Sequence, residues 1–458
     1  MRLRGSGGRA GRRRQWKGID MQLRNVVIVD GARSAFGRGG RGKLVATRLD
    51  EVGAKVLRAL LDRNPKVQDR MIEEVGLGNV VPSPEFANIG ADKIARLAGL
   101  PMEISAFDTN RQCGSSMEVI HRIAQEIMLG AIDCGVAMGV ERMGRQLGGG
   151  PQGPRTRVTE FNQKLAQQTE VQRNLPPDWF EYFSRPIPDY ILDSPPLASM
   201  VQTAQNVAEM YELTREQLDE FAVQSHRKAV AAYERGVYKD EIIPLEIETP
   251  VFDDQGNWLE NEHGPTIIFD RDECIRPGTN MEALAQLKPV AGIKSYGGKE
   301  LVITAGNSCP TNDGFSAVLL MSEEKALELG LEPLARIIGF GVAGVKQQVM
   351  GIGPVVSTRK ALKHAGITAD QIDRVEFNEA FAAQVIPSCA ELGIPLEKVN
   401  VNGGAIAIGH PLGATGARLV LTLAHELRRS GSKYGLATQC IGAGMGISTV
   451  LESLDNHP

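Results

Sequence analysis

No run of apolar residues in this 458-residue sequence approaches the roughly 20 needed to cross a bilayer as a helix. No Cys-x-x-Cys pair occurs, and the six cysteines (113, 134, 274, 309, 389 and 440) are scattered. That dispersal argues against structural zinc and against a disulfide framework, and suits a reducing cytoplasm. A broad basic excess is also missing, since the net charge is −4 although residues 1–20 hold seven basic residues against the single acid Asp20. The body is therefore acidic and gives no reason to expect nucleic acid. The 51 glycines follow no collagen-like period, and 42% apolar with 23% charged residues is ordinary for a globular chain. Disordered and fibrous classes drop out, and the length suffices for two or three domain-sized units.

The basic head lacks the apolar stripe of an amphipathic presequence and the h-region of a secretory signal. Met21 stands directly before a strand-like run, so residues 1–20 are expected to be a disordered basic extension upstream of the working start. Residues 25–29 read as a buried strand followed by a turn at Asp30-Gly-Ala-Arg33-Ser, and 50–63 as an amphipathic helix. A short strand at 105–109 leads into Asn110-Arg-Gln-Cys113-Gly-Ser. From Ser116 the spacing predicts a helix with Met117, Ile120, Ile123, Ala124, Ile127 and Met128 on its apolar face. His121, Arg122, Gln125 and Glu126 fall on the opposite face. Gly130 ends that helix, and Cys134 to Gly139 reads as the next buried strand.

Residues 143–200 are rich in Gly, Pro, Gln and Arg, with little periodicity, and read as a surface insertion before a helical stretch at 201–235. The last third repeats the first in outline. A polar, glycine-containing turn at Asn400-Val-Asn-Gly-Gly404 precedes a helix from Thr415, and a strand at Gly435–Thr438 runs to Cys440. The repeat implies two similar α/β halves whose helix N-termini converge on a site between them.

Four segments carry chemistry. Cys113 stands at a strand-to-helix turn, where exposed amides and the positive helix end can lower a thiol pKa from about 8.5 into the range of roughly 3.5–7.5. Its competing reading is a small buried hydrophobe, which is what most free cysteines are. His410 lies in Gly403-Gly-Ala-Ile-Ala-Ile-Gly-His410-Pro-Leu-Gly413, where Pro411 denies it a helical conformation. That placement suits a general base as well as it suits a structural loop histidine. Cys440-Ile-Gly442-Ala-Gly444 offers a second cysteine and backbone N–H groups for an oxyanion hole. Asn378-Glu-Ala-Phe381 supplies an amide at another strand-to-helix junction, a natural N-cap on the structural reading. Gly37-Arg-Gly39-Gly-Arg-Gly42 also fits a dinucleotide fingerprint, but a lone match several residues past its strand is rejected.

Taken together and in this order, the Cys113, Asn378, His410 and Cys440 segments resemble the four signature blocks of the thiolase family. Gly31-Ala-Arg33 and Thr304-Ala-Gly-Asn307 extend the resemblance over residues 25–453. It implies the thiolase-like α/β fold, two similar α/β/α/β/α halves with an inserted loop domain. The expected division is 21–142 for the first half and 143–310 for the loop domain over the coenzyme A site. Residues 311–331 would be the return segment, and 332–455 the second half.

The resemblance implies that Cys113 carries the acyl group, His410 takes its proton, and Cys440 exchanges a proton with the substrate carbon. Asn378, through a water, would join His410 in one oxyanion hole, and the N–H groups of Cys113 and Gly442 would form the other. Arg276 and Thr279 match nucleotide-contacting positions. Met200 and Cys309 match positions beside the pantetheine arm and acyl pocket, where Ser199, Gln205, Cys309 and Pro310 depart from the usual residues.

The implied activity is degradative cleavage of 3-oxoacyl-coenzyme A by coenzyme A, with the acetoacetyl-forming biosynthetic enzyme as alternative. A decarboxylating ketoacyl synthase and an inactive scaffold are the remote rivals. The first would carry a histidine or asparagine where Cys440 stands, and the second would have lost Cys113 or His410. Coenzyme A enters as substrate, with no metal or redox cofactor. A homodimer or homotetramer in the cytoplasm is implied, and the resemblance also allows a β-oxidation hydratase or dehydrogenase as partner.

Overall fold

A computed structural model describes residues 23–81, 83–144, 183–195 and 198–454. The basic extension 1–20 and most of the segment 143–200 fall outside the described residues.

The first half contributes β1 (Val26–Arg33), β2 (Gly37–Arg38), β3 (Glu74–Gly78), β4 (Ser105–Thr109) and β5 (Cys134–Glu141). A hairpin of β6 (Leu245–Phe252) and β7 (Trp258–Phe269) stands apart, before β8 (Asn312–Ser322) returns to the first half. The second half supplies β9 (Ala335–Gly344), β10 (Arg374–Phe377), β11 (Tyr434–Ile441) and β12 (Met445–Ser453). One sheet runs in the order β10-β11-β12-β9-β1-β8-β5-β3-β4, with β2 paired to β8.

The duplication is visible in the pairing. In the first half β3 is parallel to β5, β5 antiparallel to β8, and β8 antiparallel to β1. In the second, β10 is parallel to β11, β11 antiparallel to β12, and β12 antiparallel to β9. The halves join where Val26 of β1 pairs with Ile337 of β9. The expected turn at Asp30–Ser34 is a correction: β1 continues to Arg33, because β8 pairs with it throughout and a bulge between Ile28 and Asp30 absorbs the irregularity. The Gly37–Gly42 run forms β2 and turns with no helix before Leu49, so it does not open a phosphate-binding helix.

Helices Ser115–Met128 and Leu412–Ser430 are packed between the sheet portions of the two halves, sharing one core with Val26, Ile28, Val318, Ile337 and Leu451. Helices Leu49–Asp62 and Gly90–Leu97 cover the outer face of the first half, and Gly353–Ala365 and Ala382–Leu392 that of the second. Five layers result from the two halves together. The central helices pack closely at Gly416, where an added Cβ would lie 2.4 Å from the Met117 backbone nitrogen. The central position also corrects one expectation. His121, assigned to the polar face, is buried with Nε2 2.8 Å from Thr449 Oγ1, because this helix is covered on more than one side.

The segment between β5 and β8 holds helices Met200–Tyr211 and Arg215–Glu234 beside the hairpin. Buried amides tether the first helix. Gln202 donates to Lys294 O (2.8 Å), Gln205 to Glu300 O (2.9 Å) and Asn206 to Gln348 O (2.9 Å). The fully buried Arg33 of β1 pairs with Glu241 (3.1 Å) and Asp272 (2.8 Å), so one guanidinium fixes this segment to the central sheet.

Candidate active site

Cys113 sits in the turn between β4 and the helix Ser115–Met128. Asn110 Oδ1 accepts from Gln112 N (2.9 Å), and Ser115 Oγ donates to Gln112 O (2.6 Å). These bonds hold Gln112 in the left-handed region at φ 49°, an uncommon conformation for a residue with a side chain. The next residue is thereby presented to the second half, where the N–H of Gly442 and that of Cys113 itself act on the thiol. Burial nevertheless pushes the thiol up to about 11, opposed by Gly442 N–H and reinforced by Glu141. The lowered pKa expected from a helix start is thus a correction. At this site desolvation outweighs the amides, and the resting group is a thiol.

His410 stands two residues before the helix Leu412–Ser430. Gly409 adopts φ 112°, and a Cβ there would collide with the Asn312 amide at 2.6 Å. That close approach lets Asn312 Oδ1 accept from His410 N (2.9 Å), while its Nδ2 donates to Gly37 O (2.9 Å) and Cys274 Sγ (3.4 Å). On the ring, Nδ1 lies 2.6 Å from Thr415 Oγ1, whose hydroxyl proton is directed to Pro411 O at 2.7 Å. The hydroxyl can then only accept, so Nδ1 carries the proton and Nε2 keeps its lone pair. Asn378 Nδ2 lies 3.3 Å from that Nε2. Burial, aided by the nearby Arg418, pushes the imidazole down to about 3. The ring is therefore neutral at physiological pH, with its Nε2 lone pair toward Asn378.

Cys440 is the penultimate residue of β11, beside the loop Gly442–Gly444, which turns through left-handed Ala443 (φ 67°) and Gly444 (φ 82°). Its buried thiol is held well above the ordinary range by desolvation, then by Cys113, with Cys309 adding to the effect. Cys309 N donates to Ala380 O (3.0 Å), which sets the third sulfur beside the Asn378–Phe381 loop. Asn378 is not a helix cap, since Phe381 occupies that position.

Cys113, Cys440, Gly442 and Cys309 form one neighbourhood, and His410 with Asn378 meets it through bridges between Thr311 and His410 and between Ser308 and Phe381. The remaining candidates lie at its margin. Met200 is a partly exposed residue opening its helix, and Ser199 caps it by accepting from Gln202 N. Arg276 is exposed, its N–H donating to His226 Nδ1 (3.3 Å), and Thr279 closes the same turn. Cys274, two residues before Arg276, touches Asn312 and so links this turn to the histidine.

Sequence reasoning missed the residues that hold the site together. Asn312, Thr415 and Arg418 act on His410, and Gln384 acts on Cys440. Glu141 accepts from Val81 N (3.0 Å) and Gly413 N (2.9 Å), joining both halves beside Cys113. Each is polar yet buried, which a single sequence shows only as a polar residue inside an apolar run.

This fold and site define an acyltransferase of the thiolase family, to which the chain belongs. The family model for the thiolase N-terminal domain matches residues 26–324, and that for the C-terminal domain matches 331–453. The chain is 39% identical over 430 residues to a 3-ketoacyl-CoA thiolase of Bacillus subtilis, covering 94% of this chain and 100% of the relative. It is 40% identical over 433 residues to the 3-ketoacyl-CoA thiolase of Vibrio vulnificus, with 94% and 100% covered. Among solved structures, the acetyl-CoA acetyltransferase of Bacillus anthracis superposes with a TM-score of 0.77 at 36% identity, covering 95% of this chain and 100% of that one. Human mitochondrial 3-ketoacyl-CoA thiolase gives 0.75 at 33% identity, with 94% and 100% covered.

Proposed function

We propose that this chain cleaves 3-oxoacyl-coenzyme A with coenzyme A to acyl-coenzyme A and acetyl-coenzyme A, through an acyl thioester on Cys113. The observation that carries the reading is two buried cysteines, Cys113 and Cys440, in one neighbourhood with a neutral histidine whose Nε2 lone pair is held by Asn378. In the proposed sequence His410 Nε2 takes the Cys113 proton, and the sulfur attacks the 3-oxo carbon. The C2–C3 bond then breaks, and its electron pair leaves as the enolate of acetyl-coenzyme A. Cys440 gives its proton to that carbon, and its thiolate then takes the proton of coenzyme A. The coenzyme A sulfur attacks the thioester carbonyl and expels the Cys113 sulfur, which regains its proton from His410.

N–H groups of Cys113 and Gly442 stabilise one oxyanion, and His410 with Asn378 the other; a donor of this kind is worth about 10²–10³ in rate. Coenzyme A is substrate, its nucleotide placed near Arg276 and Thr279 and its pantetheine near Met200 and Cys309, under the segment 143–310. The decisive test is a thiolysis assay from acetoacetyl- to long-chain 3-oxoacyl-coenzyme A. Turnover on chains longer than acetoacetyl that vanishes in Cys113→Ala is the expected result. Activity on acetoacetyl-coenzyme A alone would return the biosynthetic reading, and full turnover in Cys113→Ala would overturn the mechanism.

The enzyme is further proposed to be a cytoplasmic homo-oligomer. Among the described residues β4 is an edge strand with one side unpaired, and Ile89, Leu97 and Met102 are exposed apolar residues of the segment leading into it. Among the described residues no helix is long and apolar enough to cross a membrane. A monomer mass by light scattering would remove the oligomer proposal.

A further inference from the structure

Cys440 has a side-chain partner that the proposed mechanism does not use. Its Sγ–H donates to Gln384 Oε1 at 3.3 Å, from β11 across to the first turn of the helix Ala382–Leu392. Gln384 is fully buried, and its Nε2 has no hydrogen-bond partner among the described residues. The surrounding core is apolar, with Ala382, Ala383, Met350 and Ile406 packed in the same cluster as Cys440. Packing alone would be served by methionine or leucine, without an amide donor left unpaired in a dry site. A buried amide using only one of its two ends calls for a state in which the other end is used.

We propose that Gln384 is the positioning residue of Cys440 and serves both of its protonation states, accepting the thiol proton through Oε1 and, after a half-turn of the amide, donating Nε2–H to the thiolate. The inference rests on the proposed role of Cys440 as proton donor. In that step the S–H bond breaks, the proton forms a C–H bond on the enolate carbon, and the S–H electron pair stays on sulfur. The thiolate so formed has lost its reason to face a carbonyl oxygen. The terminal torsion of glutamine has broad, roughly two-fold wells, so the exchange of ends displaces no volume. A glutamate would accept from the thiol but repel the thiolate, and an apolar residue would serve neither. The ionisable groups facing Cys440 are Cys113, from the turn after β4, and Cys309, from the segment before β8. Neither is a cation, so the amide is the side chain that favours the thiolate, alongside the N–H of Cys440 itself.

The test uses the full-length enzyme and follows exchange of the α-protons of acetyl-coenzyme A in D₂O against pH, with iodoacetamide labelling of Cys113 in parallel. In Gln384→Met, exchange should slow about 10- to 100-fold. Its alkaline limb should move up by about one pH unit, as expected when a thiolate loses a donor. Labelling of Cys113 should stay within about twofold, because that step does not pass through Cys440. Gln384→Glu, nearly identical in shape, should move the limb further upward. Equal losses in exchange and labelling would reduce Gln384 to packing, and an unmoved limb in both variants would overturn the proposal. If Gln384→Met does not fold, the Gln384→Glu limb decides alone. Wild-type exchange in Cys440→Ser would instead sink the role of Cys440, a failure distinct from that of Gln384.

Discussion

At the residue scale the site is a set of neutral groups whose charges appear only during reaction. Burial raises the Cys113 thiol to about 11 and lowers His410 to about 3, so neither ionises in the resting protein at neutral pH. A thiol with a raised pKa is protonated below that value, and the reactive thiolate grows tenfold per pH unit up to it. Alkylation of Cys113 by iodoacetamide, followed by mass spectrometry, should therefore keep rising past pH 9. A plateau near pH 7 would mean a preformed thiolate–imidazolium pair. Cys113 should still react before Cys389, whose thiol burial lifts to about 12 with no amide in opposition. The four signature blocks were legible in the sequence because each is a run of unusual residues around one reactive group. Thr415, Asn312 and Gln384 were not, since a threonine or an amide has no sequence mark that separates a partner of His410 or Cys440 from a surface residue.

The elements matter because each central helix begins at a residue of the proposed mechanism. Ser115–Met128 starts two residues after Cys113, and Leu412–Ser430 starts two after His410. Their close approach at Gly416 fixes the packing of the middle layer, on which the proposed nucleophile and base both stand. Gly416→Ala places a methyl group against the Met117 backbone, where no side chain can swing aside. The expected cost is about 1–3 kcal/mol of stability, the usual range for overpacking a tight core. Turnover should fall beyond what the unfolded fraction accounts for, because the helices must separate. Urea denaturation and kcat, measured on the same preparation, check this. Unchanged stability with unchanged kcat would mean the helices slide past the methyl group freely. Periodicity located both helices to within a few residues, yet it put His121 on the face opposite the apolar one. A helix covered on more than one side buries that face as well, and the pattern of one strand of sequence does not report what the other half covers.

For the whole molecule, the acidic body must supply local cations for an anionic substrate. Arg276 is exposed on the turn whose Cys274 touches Asn312, and its proposed partner is a phosphate of coenzyme A. Arg276→Ala should raise KM for coenzyme A while leaving kcat nearly unchanged, the pattern of a contact equal in ground and transition states. The rise should shrink at high salt, where an exposed ion pair is screened. Steady-state kinetics at low and high ionic strength decide it, and an unchanged KM at low salt places the nucleotide elsewhere. The segment bearing Arg276 is held by the buried Arg33–Glu241–Asp272 cluster, so its position depends on β1, more than 200 residues earlier in the chain.

The sequence by itself determined the candidate reactive residues, their order and the duplicated outline, since these depend on local composition, turn chemistry and periodicity. Tertiary structure alone decided that β1 runs through Asp30-Gly-Ala-Arg33, that it joins the two halves by pairing with β9, and that Cys113 rests as a thiol. Strand pairing and desolvation are sums over neighbours brought together from distant parts of the chain. Asn312 reaching His410, Gln384 reaching Cys440 and Glu141 reaching Gly413 are separations of 98, 56 and 272 residues. Local preference carries no information at that range, because the free energy of each contact exists only once both partners are buried together.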